Sequence, residues 1–108
     1  MSGIERAGPS PGDKKLYEME YRQGLDLFQR ALNEYGKADE VHKKDAFRDV
    51  MDRALQVLNE TARELKREDL QQNNDQIATD LQTYRDNGDD ASKNMLAQDL
   101  KQAKKAIG

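Results

Sequence analysis

Between Gly36 and Gly88 the chain contains neither glycine nor proline, and its apolar residues there recur at helical rather than alternating spacing. In residues 46–65, AFRDVMDRALQVLNETAREL, Phe47, Met51, Ala54, Leu58 and Leu65 form one stripe. Val50 and Val57 widen it on one flank, and Leu55 and Ala62 on the other. An arc this broad suits a helix with a neighbour on either side. A single unbroken rod through the whole interval is excluded by phase. Leu65 and Ile77 are 12 residues apart, about 1.2 residues more than three turns, which rotates the apolar face by about 120°. The intervening 66–75 stretch is polar except for Leu70, and Asn73 with Gln76 offers a capping box, so a turn is expected within 67–74.

On either side of this interval the same logic gives two further helices. Ser10, Pro11 and Asp13 make a helix start, with Gly12 moving the regular helix toward Lys14. Tyr17, Tyr21, Leu25, Phe28, Leu32 and Tyr35 form its stripe, Gly24 and Ala31 permit close approach, and Gly36 is placed to end it. Asp39 is the expected cap of the central helix. The helix carrying Ile77, Leu81 and Tyr84 stops at Asn87-Gly88. A fourth covers residues 89–107, opened by Asp89 and Asp90 and closed by Lys101, Lys104 and Lys105, which complements the helix dipole. Its stripe is Leu96, Leu100, Ala103 and Ile107, with Met95 beside it.

The expected fold is therefore all-α: a small antiparallel up-and-down bundle of three core helices plus a C-terminal fourth helix. Residues 1–10 read as a flexible tail with Gly3, Gly8 and Pro9, and residues 11–108 as one domain, with a core over 11–87. Leu, Ile, Val and Phe number only 19 of 108 residues, a proportion found in disordered chains when net charge is also high. Here the net charge is −3 and the apolar residues are tightly periodic, so a folded chain of modest stability is expected.

Composition also removes several chemistries. Zero cysteines exclude a disulfide framework and any thiolate chemistry. His42 is the only histidine, so neither a multi-histidine metal centre nor a Ser–His–Asp set with a spare base is available. The pairs Asp45/Asp49 and Asp49/Asp52 stand among Lys44, Arg48 and Arg53, which makes them part of a salt-bridged face. A calcium loop centred on Gly88 would need a ligand where Arg85 stands, and Asn94 where a glutamate must close it. Asn59-Glu60-Thr61 matches a glycosylation sequon by letters only, inside a helix. The seven glycines are scattered and make no phosphate loop.

Acidic and basic residues nearly balance at 21 and 18. The lysines of the last helix are interrupted by Asp99 and lack arginine or aromatic company, so no nucleic-acid partner is expected. No stretch reaches the roughly 18 apolar residues of a membrane span, and the N-terminus has no signal-peptide run. A cytoplasmic protein without membrane contact, cofactor or metal is the expectation.

Residues 24–32, GLDLFQRAL, resemble the second helix of a tetratricopeptide hairpin and are similar to a helix of microtubule-interacting-and-trafficking domains. The likeness extends through Leu58 over about 35 residues and implies an antiparallel helix pair; the 34-residue repeat and its terminal proline are absent, so no family function follows. By elimination the chain reads as a non-catalytic protein–protein interaction or adaptor bundle, with a self-associating homodimeric bundle as the alternative. Candidate partner-binding residues are Leu16 and Leu27, on the far side of the first helix, and Met95, Leu96, Leu100 and Ile107 on the last. If that helix detaches at Asn87-Gly88, deleting residues 88–108 leaves most helicity in place.

Overall fold

The structure is a computed structural model that describes residues 11–108. The expected tail and the Ser10 cap lie outside the described residues. Four helices follow one another: α1 (Pro11–Lys37), α2 (Val41–Leu65), α3 (Glu68–Asn87) and α4 (Asp90–Ile107). Their connections are two or three residues long, which forces each helix to run back along the previous one. Neighbours around the bundle pack together (α1 on α2, α2 on α3, α3 on α4, α4 on α1), most closely within the α1–α2 and α3–α4 pairs.

Each helix supplies its periodic residues to one core. Tyr21, Leu25, Phe28 and Leu32 come from α1, and Met51, Ala54, Leu58 and Ala62 from α2. Leu70, Ile77, Leu81 and Tyr84 come from α3, and Leu96, Leu100, Ala103 and Ile107 from α4. The broad arc of α2 is explained by its two neighbours: Val50 and Leu55 on its flanks, and Leu65 at the end of its stripe, are partly buried against the core. Gly24 lets α1 and α2 approach, since a Cβ there would stand 3.0 Å from Leu58 Cδ2. That contact accounts locally for the hairpin-like 24–32 run.

Three boundaries differ from the expectation. First, α1 does not end at Gly36 but continues to Lys37, and Gly36 keeps a helical backbone. Its lack of a side chain serves packing instead, because a Cβ would meet Lys93 Nζ at 2.8 Å. The Tyr35 carbonyl at this end accepts a hydrogen bond from Lys44 Nζ at 3.0 Å, and the ammonium also lies 4.5 Å from the Tyr35 ring centroid. Second, Asp39 caps nothing; Glu40 is the N-cap of α2 and makes no side-chain cap bond.

Third, the α2–α3 turn lies at Lys66-Arg67, touching only the first residue of the expected 67–74 window, and no capping box forms at Asn73 and Gln76. Lys66 takes the left-handed conformation (φ 55°), and the Arg67 N–H donates to the Ala62 carbonyl at 3.1 Å, closing α2. The polar stretch after it is helical because Asn74 turns inward, where it is 1% exposed and accepts from the Tyr21 hydroxyl at 2.8 Å.

The last two boundaries follow the sequence. Gly88 adopts a left-handed φ of 67°, and the Asp89 carboxylate accepts from the Ser92 N–H at 2.9 Å, an N-cap that also holds its pKa below the usual carboxylate range. The docking of α4 was open from sequence; the structure makes it a full wall of the core.

Candidate functional site

No enclosed constellation of reactive groups occurs among the described residues. The His42 side chain is 77% exposed, and its Nε2 lies 3.4 Å from a Glu40 carboxylate oxygen. Asp45 pairs with Arg48 at 3.3 Å, and Asp52 pairs with Arg85 of α3. Among the described residues no group of three or more His, Cys, Asp or Glu could hold a metal ion. No described helix is long and apolar enough to cross a membrane.

The sequence-derived partner residues separate into two sets. Leu16 and Leu27 stand 50% and 43% exposed on the outside of α1, joined there by Met19 at 51%. Met19 was missed from sequence, although its position three residues after Leu16 places both on one helix face. Met95 is also half exposed, but on another helix. It does not line the cleft between α1 and α4. Leu96, Leu100 and Ile107 are 0%, 3% and 6% exposed. They face the core because their stripe packs against α1 and α3, so in the folded bundle they are not available to a partner.

An open cleft of about 590 Å³ runs between α1 and α4, its floor formed by Leu25 and Leu100 and its walls by Gln29, Asn94, Gln98, Lys101 and Lys104. One wall is already neutralised, since Lys104 Nζ lies 2.9 Å from Asp26 of α1. At the far end of the bundle Arg67 ties three elements together. It donates to both carboxylate oxygens of Asp69 at 2.9 and 2.7 Å and to the Ala106 carbonyl of α4 at 2.9 Å. The guanidinium hydrogen bond holds the Asp69 carboxyl below its ordinary pKa.

One titratable pair departs from this solvated pattern. Asp80 of α3, 4% exposed, and Asp99 of α4 lie on helices that pack together, near enough for Asp80 to act on the Asp99 carboxyl. Burial, and then the hydrogen bond and charge of Asp80, push the Asp99 carboxyl up to about 7.

The chain matches no family model, no curated protein and no solved structure.

Proposed function

We propose that this chain is a non-catalytic interaction module of the cytoplasm that docks an amphipathic helix of a partner protein on the outer face of α1. The observation that carries the reading is the stripe of Leu16, Met19 and Leu27. These are three of the five large apolar side chains that remain exposed among the described residues, and they share one helix. A helix whose inner face fills the core and whose outer face still presents apolar side chains at helical spacing has the form of a groove-binding element. The mixed charges beside the stripe, Lys15, Glu20, Arg22, Asp26 and Arg30, suit a polar rim around such a contact.

A photo-crosslinker placed at Met19 in the full chain tests this, with the same group at exposed Gln72 as control. Expected is one dominant adduct from Met19, lost when Leu16→Arg and Leu27→Arg are combined while helicity is unchanged. An adduct consisting of two copies of this chain would replace the reading with the self-associating homodimer. No adduct, or equal adducts from both positions, would overturn an α1 docking face.

A further inference from the structure

We propose that Asp80 and Asp99 form a proton-operated latch that holds α4 against α3. The two carboxyl groups come from packed helices; Asp80 is buried, and Asp99 is half-buried with one oxygen shielded from water. The Gln76 amide donates to both Asp80 oxygens, at 3.1 and 3.2 Å. Asp99 Oδ2 is buried and has no hydrogen-bond partner. Two ionised carboxylates offer only acceptors, so they leave that oxygen unsatisfied and repel across the seam. A single proton converts one of them into a donor and joins α3 to α4 through a carboxyl–carboxylate hydrogen bond.

Among the described residues no ion pair joins a cation to Asp80 or Asp99. Arg85 on α3 pairs with Asp52 of α2, and Lys104 on α4 pairs with Asp26 of α1. Lys93 on α4 stands against Gly36 of α1, while Arg67 is held by Asp69 and the Ala106 carbonyl. Lys101 faces the α1–α4 cleft. No ion pair therefore offsets the second negative charge, and a surface carboxylate with a lysine beside it would not behave this way.

The sign follows from linkage. Asp99 keeps its proton in the folded chain up to about pH 7, whereas the unfolded chain releases it near the ordinary aspartate value of about 3.9. Between those limits the native state holds the extra proton, so the latch contributes less stability as pH rises, and its contribution is flat above them. Relative to Asp99→Asn, whose amide donates to Asp80 at every pH, the unfolding constant of the parent chain is expected to rise roughly tenfold per pH unit over about pH 4.5–6.5.

Denaturant unfolding of the two chains against pH, with carboxyl-carbon NMR of Asp99, is the test. Expected are diverging stability curves, an Asp99 midpoint near neutrality that falls in Asp80→Asn, and amide-exchange protection in α4 that drops with pH more than in α2. Parallel stability curves, or an Asp99 midpoint in the ordinary aspartate range, would overturn the shared proton. Equal loss of protection in α2 and α4 would overturn the latch.

Discussion

The least economical contact in the core is also its most informative one. Tyr21 and Asn74 are 0% and 1% exposed, and they join α1 to α3 across the centre of the bundle. Burial drives the Tyr21 hydroxyl pKa up, which keeps it a donor at any ordinary pH. Asn74 Oδ1 accepts that hydrogen bond, but its own Nδ2 is left buried without a partner. Such a half-satisfied pair fixes which residues face each other, at a cost in stability. Tyr21→Phe strips the remaining hydrogen bond from a buried amide, so a loss of about 1–3 kcal/mol is expected in urea unfolding. Adding Asn74→Leu removes the orphaned groups altogether and should recover most of that loss. A neutral Tyr21→Phe variant would show that water already satisfies Asn74.

At the scale of elements, the connection between α2 and α3 carries the one non-glycine residue with positive φ among the described residues, Lys66. The conformation is strained for a residue with a Cβ and free for glycine. Lys66→Gly is therefore expected to stabilise the bundle by about 0.5–1 kcal/mol, the relief in the folded state exceeding the added freedom of the unfolded chain. A lower thermal midpoint for Lys66→Gly would contradict it. This turn also shows what the sequence could and could not say. The phase slip between Leu65 and Ile77 correctly demanded a break, because two antiparallel helices need not share a phase. Its position was obscured by the Gln71–Asp75 polarity, since inward Asn74 makes a core helix look like a loop. Gly36 misled for a related reason: glycine marks either a left-handed backbone or a close approach, and only the position of Lys93 distinguishes them. Gly88 and Asp89 were legible because stop and cap are local chemistry.

The whole molecule decides the question that a single helix cannot: whether an amphipathic stripe is filled by its own chain or by another. Leu16 and Leu27 could be read as exposed because they lie off the stripe of α1. Leu96, Leu100 and Ile107 could not be read as buried, because only the square of four helices supplies their partners. The same burial speaks against the expectation that residues 88–108 can be removed with most helicity intact. Burial of Leu96, Leu100 and Ile107 is worth about 5–9 kcal/mol on area alone, against a typical domain stability of about 5–15 kcal/mol. Truncation would also uncover the core residues of α3 and α1 that pack against α4. A chain ending at Asn87 is therefore expected to lose more helicity than the missing residues account for, to melt without a sharp transition and to bind a hydrophobic dye. Circular dichroism against temperature decides it. Cooperative melting of the truncated chain within a few degrees of the parent would mean that α1, α2 and α3 suffice as a core and that α4 is the detachable helix the sequence suggested.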